Sequence, residues 1–135
     1  MEKEIRISNN LNEIATLANF IETIGEELSL SAEMIMNINL ALEEAIANII
    51  MYAYPSQEEH EILLKMSSNE HQLVFLLTDK GVSFDPTQVE DVDLTLSIED
   101  RPIGGLGIFL IRSIMNEVTY QRLDDENRLI MKKDI

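Results

Sequence analysis

The sequence contains no cysteine, which excludes disulfide bridges and Cys-ligated metal sites. It has no uninterrupted run of about 18 apolar residues, so a membrane-spanning helix is not expected. Its first residues, Met1-Glu2-Lys3-Glu4-Ile5-Arg6, lack the basic-then-apolar layout of a secretory signal. Basic residues are scarce: 10 Lys and Arg stand against 25 Asp and Glu, a formal net charge of −15. That sign repels nucleic acid and anionic membranes. It suits a basic protein partner or a metal-dependent site, and it also simply serves solubility. The expectation is a cytoplasmic protein that binds neither nucleic acid nor membrane. Glycine is scarce as well, and four of the five glycines fall in two clusters, Gly81 and Gly104/Gly105/Gly107. No Gly-Lys-Ser/Thr follows the second cluster, which excludes a Walker A loop. A third glycine of the dinucleotide fingerprint is missing too.

What is present reads as one domain spanning residues 1–135, with 45% apolar residues for a core. Alternation around Ile5 and Ile7 predicts a short strand. Asn10 and Glu13 have capping-box spacing, and Leu11, Ile14, Leu17, Ala18, Ile21, Ile24 and Leu28 recur at helical intervals, predicting a helix over 11–28. Ser31 is the expected N-cap of a second helix that runs to Tyr54, where Pro55 ends it. Ile62, Leu64 and Met66 alternate as in a strand. Leu73 to Leu77 is nearly all apolar and predicts a central strand. Pro86 to Ile103 is acidic and weakly patterned, and reads as a lid. Ile108 to Met115 predicts a helix, followed by strands over 118–123 and 128–132. The order β-α-α-β-β-lid-α-β-β implies an α+β two-layer sandwich, a mixed sheet with helices on one face.

The chain is organised around Leu42 to Tyr54. On a helix, Leu42, Ala45, Ile46, Ile49 and Ala53 form one apolar face, and Glu44 stands four residues from Asn48, on the same side. Their neighbours there, among them Leu40, Ala41, Ala47 and Met51, are mostly small or apolar. That resembles a pocket wall carrying one carboxylate and one amide. The ordinary alternative is an amphipathic helix with two polar residues on its wet face. Asp79 follows the central strand and precedes Gly81, where a carboxylate could accept a hydrogen bond from an exocyclic amine. Its alternative is a turn former. The glycines at 104, 105 and 107 precede a helix whose free N–H groups could bind phosphate. Their alternative is a flexible hinge.

Taken in order, Glu44-x-x-x-Asn48, Asp79-x-Gly81 and Gly104-Gly105-Leu106-Gly107 resemble the N, G1 and G2 boxes of the GHKL ATPase superfamily, the Bergerat fold. Within it the chain resembles the anti-sigma-factor serine kinases, through Glu-Glu-Ala-Ile-Ala-Asn-Ile-Ile, Asp-Lys-Gly-Val-Ser-Phe-Asp-Pro and Gly-Gly-Leu-Gly-Ile-Phe-Leu-Ile-Arg. The resemblance implies an ATP-dependent protein serine/threonine kinase that regulates a sigma factor by phosphorylating a small antagonist protein. It implies a homodimer built from N-terminal elements. It makes Glu44 the general base, Asn48 the Mg²⁺ ligand, Asp79 the acceptor for the adenine amine and Gly81 the residue beside the base. Gly104, Gly105, Leu106 and Gly107 would wrap the phosphates. The lid departs from what transfer needs: Glu90, Asp91, Asp93, Glu99 and Asp100 leave Arg101 as its sole cation, whereas a transferring phosphoryl group calls for positive charge. Arg101 is either that cation or a surface arginine. A nucleotide-binding partner switch without significant transfer is the alternative function.

Overall fold

The computed structural model describes residues 1–54, 59–88 and 105–135. Five strands form one sheet in the order β1-β2-β3-β5-β4, with β1 at Glu2–Ser8, β2 at Glu61–Ser68, β3 at Gln72–Asp79, β4 at Glu117–Leu123 and β5 at Glu126–Asp134. Among the described residues three α-helices accompany it: α1 at Ile14–Glu27, α2 at Ala32–Asn48 and α3 at Gly105–Ile114. This is the α+β architecture that the element order predicts. The sheet is not mixed, however, because each of the four strand pairings is antiparallel. β2–β3 and β4–β5 are hairpins, whose strands must run opposite ways, and the β1–β2 and β3–β5 ladders pair antiparallel as well.

β3 lies at the centre of the sheet, and its burial alternates. Leu73, Phe75 and Leu77 are fully buried while Val74 and Leu76 are only half-buried. Ladder register extends that buried row sideways. Leu77 pairs with Leu64 and Leu129, Phe75 with Met66 and Met131, and Ile62 with Ile7. From the other layer come Leu17, Ile21 and Ile24 of α1, Ile38, Leu42 and Ile46 of α2, and Ile108 and Ile111 of α3. Burying a side chain of this size contributes roughly 1.5–3 kcal/mol.

Ala32–Ala53 reaches a mean hydropathy of 1.3, long and apolar enough on those measures to cross a membrane. Carboxylates at 33, 43 and 44 interrupt it, so no continuous apolar run announces it. In this structure its apolar face lies in the core.

The helix starts differ from each other. Ser31 caps α2 as expected, its Oγ accepting the Met34 N–H at 3.1 Å. The capping box at Asn10 and Glu13 does not close. A tight turn over Leu11–Glu13 precedes α1, so Asn10 Oδ1 accepts from Asn12 N at 2.9 Å instead, and Glu13 takes the hydroxyls of Ser8 and Thr16. The α2 helix also ends unexpectedly. At Ile49–Ala53 it widens into a π turn, a local feature common at functional sites.

Candidate functional site

The π turn docks the end of α2 onto the loop that follows β3. Val82 donates its N–H to the Ala53 carbonyl at 2.8 Å, and Lys80 donates its N–H to the Tyr54 hydroxyl at 2.9 Å. Two segments distant in sequence are thereby held together, and Asn48 and Asp79 come to line one cavity. Its other walls include Ala45, Ile49, Phe84, Pro86 and Leu129. The cavity measures about 10 Å³, room for a single water. A purine ring enters only if these walls part. Phe84 stacks on Tyr52 of the π turn with ring centroids 5.0 Å apart.

Asn48 is 5% exposed. Neither atom of its amide hydrogen-bonds to a described residue. The one side-chain atom both sealed from solvent and unpaired among the described residues is Asn39 Oδ1, so the Asn48 amide is open to a ligand rather than starved of one. Glu44, one turn earlier, is half-buried and likewise lacks a hydrogen bond or ion pair with any described residue. The first turn of α3 faces both. A Cβ built at Gly107 would lie 3.1 Å from Glu44 Oε2, 3.5 Å from Asn48 Nδ2 and 3.7 Å from Asn48 Oδ1. Only a glycine leaves that space open. An unpaired carboxylate, an unpaired amide and the N–H-rich start of a helix thus converge, an arrangement suited to a polyphosphate and a hard cation.

Asp79 is 2% exposed at the end of β3. Its Oδ1 accepts the Gly81 N–H and the Asn127 Nδ2, each at 2.9 Å. Burial pushes its carboxyl above the ordinary carboxylate value, against the lowering influence of Asn127, the Gly81 N–H and Arg122. Oδ2 receives no hydrogen bond from a described residue. Gly81 is packed tightly: a Cβ there would meet the Ala53 carbonyl oxygen at 2.3 Å. In this structure its lack of a side chain serves the contact with the π turn. Burial also raises Tyr54, with Asp79 adding to the effect and the Lys80 N–H opposing it.

Of the other expected site residues, Arg101 and Gly104 lie outside the described residues, as does the expected lid beyond Gln88. Gly105 opens α3 with Leu106 and Gly107 following it in the first turn. Two residues of the site were absent from the sequence reading. Asn127 of β5 faces Asp79 across the ladder, and Arg122 of β4 donates to the Gly81 carbonyl at 2.8 Å. No motif marks either one; strand register brings them there. Among the described residues there is no group of three His, Cys, Asp or Glu side chains placed to hold a metal ion, so a cation here would depend on Asn48 and on oxygens of its ligand.

Residues 7–133 match the family described as histidine kinase-like ATPase domain. The serine/threonine-protein kinase BtrW of Bordetella bronchiseptica is 31% identical over 101 residues, which cover 75% of this chain and 71% of that protein. The serine-protein kinases RsbW of Bacillus cereus and Bacillus anthracis are each 26% identical over 132 residues, 95% of this chain and 81% of theirs.

Proposed function

The chain belongs to the histidine kinase-like ATPase family, and from that premise we propose that it is an ATP-dependent protein serine/threonine kinase. It acts in the cytoplasm on a small anti-sigma antagonist protein and holds a sigma factor in one nucleotide state. The observation that carries the reading is the approach of Gly107 to Glu44 and Asn48, 3.1 Å and 3.5 Å from the position of a Cβ. It sets a free carboxylate beside the place where a helix start and a buried amide receive phosphates.

Each residue then has a task. Asp79 Oδ2 accepts the adenine amine. The first N–H groups of α3 hold phosphate oxygens, and Asn48 Oδ1 ligates Mg²⁺. When bound, Mg²⁺ neutralises phosphate charge and orients the γ-phosphoryl group. Glu44 takes the proton of the acceptor hydroxyl as that oxygen bonds to the γ-phosphorus and the bond to the leaving ADP oxygen breaks. The test is transfer of radiolabelled γ-phosphate to the protein encoded beside it. Label on a serine or threonine of that protein supports the reading, and nucleotide binding without transfer refutes it. The second reading, a partner switch without transfer, is favoured by the acidic composition around Arg101, and that refuting outcome is its prediction.

Nucleotide binding has its own check. Mg·ADP should raise the melting temperature, because a ligand selective for the native state stabilises it by mass action. The absence of any thermal shift at millimolar nucleotide would rule out a working site.

Asp79→Asn should move stability and affinity in opposite directions. A carboxyl whose folded pKa is raised binds its proton more tightly when folded, so ionising it costs stability as pH rises from the ordinary carboxylate range through the folded value. Asparagine keeps an oxygen for Gly81 and Asn127 and removes that cost. The ligand-free variant should therefore melt at or above the wild-type temperature at neutral pH, with the gap closing in acid. Its Mg·ADP affinity should fall at least about tenfold, roughly 1.4 kcal/mol, from the lost charged acceptor. Unchanged affinity would make Asp79 a turn residue only.

We further propose a homodimer through N-terminal elements. β1 is an edge strand of the sheet, and α1 adjoins it through the Lys3–Glu27 ion pair at 2.9 Å. Light scattering should give twice the chain mass at micromolar concentration. A monomer throughout that range would refute the dimer.

A further inference from the structure

Three polar side chains are buried among the described residues: Asn48, Asp79 and Asn127. The proposed function employs the first two. Asn127 belongs to none of the motifs, yet its amide is fully engaged. Nδ2 donates to Asp79 Oδ1 at 2.9 Å and to the Val82 carbonyl at 2.8 Å. Oδ1 accepts the Phe84 N–H at 3.3 Å and the Tyr120 hydroxyl. Only one orientation satisfies this set. Turned over, the amide oxygen would face a carboxylate and a carbonyl, and its NH₂ would face the Phe84 N–H.

The consequence falls on Asp79. Two N–H donors hold Oδ1, one from Asn127 and one from Gly81. A carboxylate pinned in this way does not rotate freely, so Oδ2 is left as a fixed acceptor at the cavity that Ala45, Ile49, Phe84 and Leu129 also line. The surrounding charges divide: Arg122 favours the ionised acceptor together with Asn127, while Glu126 opposes it.

We propose that Asn127 is the positioning residue for base selectivity: by locking Asp79 through Oδ1, it presents Oδ2 to a purine bearing an exocyclic amine at carbon 6. This rests on the reading of Asp79 as the adenine acceptor. Adenine brings an N–H to Oδ2. Hypoxanthine and guanine bring a carbonyl oxygen to the same place, and two acceptors then face each other in a buried site with no proton between them. Without Asn127 only the Gly81 N–H holds Oδ1, the carboxylate is less firmly oriented, and that discrimination relaxes.

Competition calorimetry with ADP, IDP and inorganic tripolyphosphate tests this on the wild type, Asn127→Leu and Tyr120→Phe. The wild type should prefer ADP over IDP by at least about 30-fold. Asn127→Leu should lose about tenfold of that ratio while binding tripolyphosphate within about twofold of wild type. Tyr120→Phe removes one of the four bonds that orient the amide and should lose roughly two- to threefold of the ratio. An unchanged ratio in Asn127→Leu, with tripolyphosphate still bound, overturns the positioning role and leaves the Asp79 reading standing. A wild-type ratio near one overturns the Asp79 reading, and this proposal falls with it. A loss that strikes tripolyphosphate equally makes Asn127 a structural residue and also overturns the proposal. If Asn127→Leu does not fold, Tyr120→Phe decides, and an unchanged ratio there rejects the role.

Discussion

Glu44→Gln should lower phosphoryl transfer about 10²- to 10⁴-fold, the range for a lost general base, and leave Mg·ADP affinity near wild type. Glutamine has the length of glutamate and fits beside Gly107, where the carboxylate now lies 3.1 Å from a would-be Cβ. It cannot take a proton. The fold should be insensitive to the change, because Glu44 is half-buried and makes no hydrogen bond or ion pair with a described residue. Its stability effect should stay within about 0.5 kcal/mol. A fall in transfer at constant affinity and constant melting temperature isolates chemistry from binding and folding. A variant that phosphorylates its partner at the wild-type rate would show that Glu44 is not the base. If the wild type itself transfers nothing, the partner-switch reading takes over.

Asn48→Ala should act earlier in the sequence of events. The Mg²⁺-dependent part of nucleotide affinity should disappear, so that calorimetry gives the same dissociation constant with and without Mg²⁺. Transfer should fall at least about 10²-fold, because a misplaced phosphoryl group loses the advantage of positioning. Stability should not follow. Asn48 makes no hydrogen bond with a described residue, and its amide is not among the sealed, unpaired atoms, so truncation removes no hydrogen bond and only some packing. We expect a melting temperature close to that of the wild type, within about 1 kcal/mol of stability. A residue kept for the fold gives the reverse pattern, lower stability with unchanged Mg²⁺ dependence, and that result would exclude Asn48 as the metal ligand. Together with Glu44→Gln it separates one helix face into two jobs, one on the acceptor and one on the phosphates.

The local part of this architecture was legible in the sequence. The positions of α2, its Ser31 cap and the shared side of Glu44 and Asn48 follow from 3.6 residues per turn and from which side chains can satisfy free N–H groups. Strand β3 was legible from its unbroken apolar run, and its central place from the need to bury such a run. These features depend on residues within a few positions of each other, so spacing alone determines them. The glycines of the second cluster were visible, though not the reason for Gly107, whose Cα faces side chains some sixty residues earlier in the chain.

Tertiary structure decided the rest. The antiparallel β1–β2 and β3–β5 ladders join strands far apart in the chain, whose relative direction no local pattern records. Gly81 turned on the Ala53 carbonyl, which lies where it does because α2 ends in a π turn. A helical pattern through Tyr54 gives no sign of that widening, since it arises from docking against the 80–82 loop and leaves the apolar face in place. Above all, Asn127 meets Asp79 because β3 and β5 pair with residue 79 opposite residue 127. In the sequence Asn127 is an asparagine beside a turn at Asp124 and Asp125, where asparagine is ordinary. A shift of that ladder by one residue would turn its side chain to the other face of the sheet. Register is set by the whole buried row of Leu73, Phe75 and Leu77 against Leu129 and Met131, and so the partner of Asp79 was fixed by packing that no local pattern records.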